Sequence, residues 1–284
     1  MKTIAITGSS GFVGTSLKSF FSNIGFNVRG IKREELKDSQ KLIDIVENSQ
    51  FIINLAGANI INRWTDSYKK LLYTSRIDTT KAIVEAMKNA KVKPELFIST
   101  SAVGIYNNKS CYKEDEVEYS DDFLANVCKE WETEALKANE FGIRTAIFRF
   151  GIVLGNGGAL SKMLPAFKFG LGGNIGDGKQ YFSFIHIEDL LRAYNHVYEN
   201  KELDGVFNLA APISTTNEGL TKALGKVLHR PTFFTVPQFM LNLIFSEGAK
   251  VLTDGQCAIP QRLLDNGFKF KYASIENSLK NLVV

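Results

Sequence analysis

The sequence predicts an α/β fold, a Rossmann-type doubly wound parallel sheet with a small C-terminal cap lobe. Three observations carry that expectation. Short β-branched runs alternate with helical periodicity through the first 150 residues, the pattern of a parallel sheet covered on both faces. A glycine-rich turn separates the first apolar run from the first helical segment. Beyond Gly151 the pattern loosens, with eight glycines between Gly155 and Gly178, and Pro237 and Pro260 break the last segment.

Taken in order, residues 3–7 are a strand of alternating Thr, Ile and Ala, followed by a helix over 12–23. A second strand is expected at 27–32, a helix near 41–47 and a third strand at 51–55, so the chain opens as βαβαβ. A long helix follows at about 65–90, then a strand at 96–100, a helix at about 122–141 and a strand at 144–150. The glycine-rich stretch after 151 follows a strand's carboxyl end, where a loop is either mobile surface or a cover for a ligand. We divide the chain into a nucleotide-binding domain at 1–230, with substrate-lobe insertions after 151, and a C-terminal domain at 231–284. The latter ends in the aromatic run Phe268, Phe270 and Tyr272. There is no internal repeat and no low-complexity tract.

Composition narrows the function classes. With 284 residues, 44% of them hydrophobic and 23% charged, the chain can bury a sizeable core, and disorder as its main state is excluded. Its 34 basic and 30 acidic residues are interspersed, without the cationic stripe that nucleic acid requires. Cys111, Cys128 and Cys257 are odd in number and widely spaced, so no disulfide framework or zinc knuckle is expected, and the compartment reads as reducing and cytoplasmic. The run before Gly8 is too short for a signal peptide core, and the most apolar later stretch, 233–245, is interrupted by Pro237, Gln238 and Asn242. No run approaches the ~18–20 apolar residues that span a bilayer. His186, His196 and His229 are too dispersed for a metal site, and neither a Walker sequence nor a nucleophile elbow occurs.

The turn Gly8-Ser9-Ser10-Gly11-Phe12-Val13-Gly14 has the context of a dinucleotide fingerprint. Gly8 permits the tight turn, Gly11 lets the backbone approach a pyrophosphate, and Gly14 lets the helix pack close to the sheet. The helix N-terminus then offers free N–H groups and partial positive charge to the anion. Just past the second strand, an acid would grip a ribose 2′-hydroxyl. The sequence has Lys32 and Arg33 there instead, which favours the 2′-phosphate of NADP over NAD.

The chain resembles the extended short-chain dehydrogenase/reductase superfamily, and within it the nucleoside-diphosphate-sugar-epimerase-like branch with a small C-terminal domain of unknown function. Besides the glycine turn, the resemblance rests on Asn54-Leu55-Ala56-Gly57-Ala58, Arg63-Trp64-Thr65, Ser75-Arg76-Ile77, the segment from Ser99-Thr100-Ser101 to Tyr106, and Arg149-Phe150-Gly151. It continues through Gly176-Asp177-Gly178, His186-Ile187-Glu188-Asp189, Asn208-Leu209-Ala210 and Gly267-Phe268. It implies that Asn54, Leu55, Ala56 and Gly57 end a strand beside the cofactor, and that Ser99 and Thr100 lead to Ser101, which matches the superfamily's catalytic serine. A hydroxyl there orients a substrate group undergoing hydride transfer.

The superfamily's acid/base is a Tyr with a Lys four residues later, whose ammonium lowers the phenol's pKa. None of the nine tyrosines here has a Lys at that spacing. Alignment on Trp131 and Glu132 puts Leu124 and Cys128 at the two positions, and a shift by one gives Ala125 and Lys129. The candidate substitutes are Tyr106, which equally well packs against cofactor or core, and Cys128, though an isolated helical cysteine is more often a small buried apolar residue. His186, between two isoleucines, reads as a structural strand residue. The acidic run from Glu114 to Asp122 reads as a solvated approach to a helix. Two functions remain: an NADP-dependent epimerase, dehydratase or reductase acting on a small polar substrate, sugar nucleotides included, or a non-catalytic NADP(H)-binding sensor or scaffold. Neither needs nucleic acid or membrane, and monomer and homodimer are both compatible with the sequence.

Overall fold

The computed structural model describes residues 2–283. Its first half runs β1 (Thr3–Thr7), α1 (Phe12–Asn23), β2 (Asn27–Ile31), α2 (Ser39–Glu47), β3 (Phe51–Asn54), α3 (Asp66–Asn89), β4 (Leu96–Ala102), β5 (Cys111–Tyr112), α4 (Phe123–Leu136) and β6 (Arg144–Phe150). The helix expected to reach residue 141 ends at Leu136, and a tighter 3-10 turn, Lys137–Phe141, leads into Gly142 at φ 74°. That left-handed glycine terminates the element.

The second half adds β7 (Ile152–Gly155), α5 (Gly158–Lys168), β8 (Gly173–Ile175), β9 (Phe184–His186), α6 (Ile187–Glu199), β10 (Gly205–Leu209), α7 (Asn217–Leu228), β11 (Phe234–Val236), α8 (Gln238–Phe245), α9 (Lys250–Thr253), β12 (Cys257–Ala258), α10 (Gln261–Asp265) and α11 (Ile275–Val283). Six strands form the central sheet in the order β10-β6-β4-β3-β1-β2, and every neighbour pair is parallel. The chain leaves β1 toward β2, then returns to place β3 on the other side of β1. This reversal opens a crevice at the carboxyl ends of β1 and β3, where open α/β sheets bind ligands.

Strand periodicity divides the core. Ile4 and Ile6 of β1 face a cluster with Leu17 and Phe21 of α1 and Tyr194 and Val197 of α6, whereas Ala5 joins Leu42, Ile45, Ile83 and Met87 of α2 and α3 on the opposite face. A third cluster joins Leu160, Phe182 and Leu220 to Ile275 and Leu279 of α11. The C-terminal segment is also tied in through β11 on β8 and β12 on β5. That last pairing corrects the cysteine expectation, because its register sets Cys111 opposite Cys257 and the two form a disulfide across 146 residues of chain. Spacing along the sequence carries no trace of such a pairing. Cys128 is free and buried. Among the described residues no helix is long and apolar enough to cross a membrane.

Candidate cofactor and active site

The β1–α1 turn is built by its glycines. Gly8 adopts φ +64°, and Gly11 donates its N–H to the Gly8 carbonyl at 3.0 Å. A Cβ on Gly14 would collide with the Gly8 carbonyl, so the third glycine is what seats α1 on the turn. A Cβ on Gly11 would meet only the Gly8 oxygen, at 3.3 Å, and otherwise project into open space above the turn. Gly11 caps α1 without a side-chain hydrogen bond, and no acid occupies the first turn. By contrast Asp38, Thr65, Asp122 and Thr216 cap α2, α3, α4 and α7 with their side chains. The amino end of α1 is thus left to an external acceptor.

Around this turn, Ser10 is exposed and Val13 packs toward the core. The Ser9 hydroxyl lies where a side chain on Gly30 would be, which ties the turn to the end of β2. The Phe12 ring packs against Gly155, Gly157 and Gly158, which lack the side chains that would strike it. Past β2, Lys32 is 72% exposed, with Glu34 only at 3.9 Å, and Arg33 is exposed and has no ion pair among the described residues. Glu35 does not neutralise them. It accepts the Lys32 backbone N–H at 2.7 Å and Arg29 at 3.0 Å, and the backbone bond chiefly holds its carboxyl below the usual range.

The end of β3 is pinned from beneath. The Thr7 hydroxyl donates to Asn54 Oδ1 at 2.7 Å and accepts the N–H groups of Leu55 and Ala56 at 3.0 and 3.1 Å. Asn54 Nδ2 donates to Thr80 Oγ1 at 2.8 Å and to Ser99 Oγ at 3.4 Å, and Trp131 Nε1 also donates to Thr80 at 2.8 Å. The side chains of Asn54 and Ser99 are therefore buried supports for the crevice, and the Thr100 hydroxyl is likewise out of reach of solvent. Gly57 is exposed in the following loop, beside partly buried Leu55 and Ala56.

Ser101, Tyr106 and Cys128 meet in a region the sequence did not reveal. Arg149 on β6 is 2% exposed and makes a bidentate pair with Glu132 of α4, Nε to Oε1 at 2.8 Å and Nη2 to Oε2 at 2.7 Å. Burial opposes its charge, but the bonds to Glu132 and that carboxylate's charge outweigh it and hold the guanidinium pKa above normal. Ser101 donates to Glu132 Oε1 at 2.6 Å. Tyr106, fully buried, accepts from Arg149 Nη1 at 2.7 Å and donates to Asn208 Oδ1 at 2.7 Å. Burial pushes its phenol up to about 12 and the Cys128 thiol up to about 11, opposite to what an acid/base near neutrality needs.

Glu114 corrects the reading of the acidic run as solvated. It is 4% exposed and accepts the N–H groups of Asn208 at 2.9 Å and Arg262 at 3.2 Å. Lys129 gives its ammonium to the Ser120 carbonyl at 2.8 Å. His186 ends β9 and caps α6. Its Nδ1 accepts from Glu188 N at 3.1 Å, so Nε2 carries the proton and donates to Asn281 Oδ1 at 3.1 Å. The available signal for the missed pair was Arg149 within the otherwise apolar run 146–150 of β6, since parallel central strands admit a charge only when it is paired.

Among the described residues no cluster of metal-ligating side chains occurs. Comparison with known proteins agrees with this architecture. Residues 4–210 match the NAD dependent epimerase/dehydratase family, and 236–282 match a domain of unknown function, DUF1731. The chain is 34% identical to the epimerase family protein YfhF of Bacillus subtilis, over 99% of this chain and 97% of that one. It is 36% identical to an Arabidopsis thaliana chloroplastic homolog of epimerase family protein SDR39U1, over 99% and 86%. Human SDR39U1, solved with NADPH, superimposes with a TM-score of 0.91 at 30% identity, covering 99% of this chain and 98% of that one. With its glycine turn at a topological switch point and this likeness along nearly all its length, the chain belongs to the NAD dependent epimerase/dehydratase family.

Proposed function

We propose that the protein is an NADP-dependent enzyme of the epimerase, dehydratase or reductase type, acting on a small polar substrate without the usual Tyr-Lys pair. The observation that carries this reading is the uncapped amino end of α1 above an open glycine turn, with two exposed cations after β2: Lys32, whose one ion pair is a 3.9 Å contact to exposed Glu34, and Arg33, which has none among the described residues. These residues fit a dinucleotide carrying an additional phosphate. Residues 8–14 would hold the pyrophosphate, Lys32 and Arg33 the 2′-phosphate, and Leu55, Ala56 and Gly57 would line the cleft over the supports Asn54, Ser99 and Thr100. Human SDR39U1, similar over nearly the whole chain, was solved with NADPH, which supports the cofactor choice.

When bound, NADP(H) supplies hydride transfer. Ser101 directs its proton to Glu132, so its oxygen lone pairs are what it can offer a substrate hydroxyl. The bidentate bond from Arg149 fixes the position of the Glu132 oxygens and thereby that orientation. Tyr106 and Cys128 are positioned for packing and for satisfying buried partners. The same reading has the protein as monomer or homodimer, with no nucleic acid or membrane partner, and keeps the domain division near residue 230, as the two family matches support; the cytoplasmic expectation loses its cysteine argument to the Cys111–Cys257 disulfide. A second reading, a non-catalytic NADP(H) sensor, is favoured by one observation: the protons of Ser101 and Tyr106 are both committed to buried partners.

The test is calorimetric titration of wild type and Gly11→Val with NADPH and NADH, folding being checked by circular dichroism. NADPH should bind more tightly than NADH, and a folded Gly11→Val should not bind it, because a branched side chain fills the space above the turn. Equal or tighter NADH binding would exclude the NADP reading. Product analysis over carbonyl compounds and sugar nucleotides then separates enzyme from sensor: turnover that falls at least about tenfold in Ser101→Ala supports the enzyme, and binding without any turnover supports the sensor.

A further inference from the structure

Two arginines approach the crevice near the ends of β3 and β4, and they differ in one respect. Arg149 is neutralised by the bidentate carboxylate of Glu132. Arg76 on α3 has no carboxylate within ion-pair distance among the described residues. Its guanidinium donates from Nη1 to the Leu72 carbonyl at 3.0 Å and from Nη2 to the Ala58 carbonyl at 3.1 Å, both neutral acceptors. It lies 5.3 Å from the Trp131 ring. A guanidinium has five N–H donors, and two hydrogen bonds leave most of that capacity unused. Burial holds its pKa below the usual arginine value, as expected of a charge drawn from water with no carboxylate to pair it.

The surroundings leave one side open. A Cβ on Gly57 would stand 3.0 Å from Arg76 Cζ, so the absent side chain at this exposed position is what uncovers the guanidinium. Trp131, against which Arg76 lies, neighbours Glu132 on α4, and Glu132 accepts the Ser101 hydroxyl, which puts Arg76 at the serine end of the crevice. We propose that Arg76 is the anion receptor of the substrate site, and that the substrate carries a carboxylate or phosphate docking on its guanidinium beside Gly57. The planar fork matches either group bidentately. This inference rests on the cofactor reading above in one point: the cofactor's own phosphates are assigned to the glycine turn and to Lys32 and Arg33, which leaves Arg76 for the substrate.

The Trp131 stack provides a direct readout. In a Trp64→Phe background, where Trp131 is the remaining tryptophan, the protein saturated with NADP+ is titrated with inorganic phosphate and with acetate at ionic strength fixed by chloride. A saturable change in emission is expected, with a midpoint at least about tenfold higher in Arg76→Gln and intermediate in Arg76→Lys, which keeps the charge but not the fork. Thermal stabilisation of otherwise wild-type protein by phosphate, lost in Arg76→Gln, repeats the measurement without the tryptophan change. An identical midpoint in Arg76→Gln, or no change beyond chloride, overturns the proposal. A response present in cofactor-free protein but abolished by NADP+ also overturns it, because the anion would then be the cofactor's own. Failure of NADP+ to bind at all refutes the cofactor reading instead, and the phosphate titration of cofactor-free wild type and Arg76→Gln still decides whether Arg76 receives an anion.

Discussion

Replacing Glu132 by Gln removes a charge but almost no volume, and it strikes the most enclosed ion pair among the described residues, whose side chains are 2% and 9% exposed. The amide keeps one oxygen, so Arg149 loses one of its two charge-assisted bonds, while Ser101 keeps at most a weaker acceptor. Breaking one side of a buried pair strands the other charge, and the loss is about 3–5 kcal/mol. Against a total stability of about 5–15 kcal/mol this is a large fraction. At about 2–4 °C per kcal/mol for a chain of this class, the Tm should fall by about 6–20 °C. Urea unfolding followed by circular dichroism gives the free energy, and calorimetry gives the Tm. The double variant Glu132→Leu/Arg149→Leu leaves no stranded charge and should lose less than the sum of the two single variants, with a coupling of about 2 kcal/mol or more. A Glu132→Gln loss under about 1 kcal/mol, or strict additivity in the cycle, would show that the pair does not hold this region together.

Three further outcomes are expected. Arg33→Ala should weaken NADPH by about 1.5–3 kcal/mol while leaving NADH unchanged, as read by parallel titrations; equal losses for both would detach Arg33 from the 2′-phosphate. Protein purified without reductant should show a single thiol on denaturation, Cys128, and that thiol should resist iodoacetamide at about pH 8 in the native state, since burial raises it to about 11; three thiols or rapid native alkylation would refute this. His186 is 2% exposed and burial lowers its pKa from 6.5, so the unfolded chain takes up the proton first. Stability should therefore decline as pH falls below about 6.5, and His186→Asn should flatten that slope in urea melts run from pH 7 to about 5.5; an unchanged slope would exclude His186 as a contributor.

What the sequence determined by itself is what its own periods encode. The run Thr3 to Thr7 alternates, and its neighbours keep helical spacing, so strands, helices and the glycine turn at 8–14 were legible from the chain. A period states which side of an element is apolar. It does not state which residue of a distant element stands opposite. That the Ser101 proton belongs to Glu132, that Arg149 closes the same pair from β6, and that Arg76 has two carbonyls and the Trp131 ring but no carboxylate among the described residues are consequences of the strand order and of how α3 and α4 lie on the sheet. Cys111 and Cys257 meet for the same reason, since the register of β5 with β12 closes 146 residues of chain. Glu114, in a run that looks fit only for water, is buried because two backbone N–H groups, from Asn208 and Arg262, converge on its carboxylate. Burial and pairing of charge are settled by contacts across the whole chain, and only the tertiary structure brings those partners together.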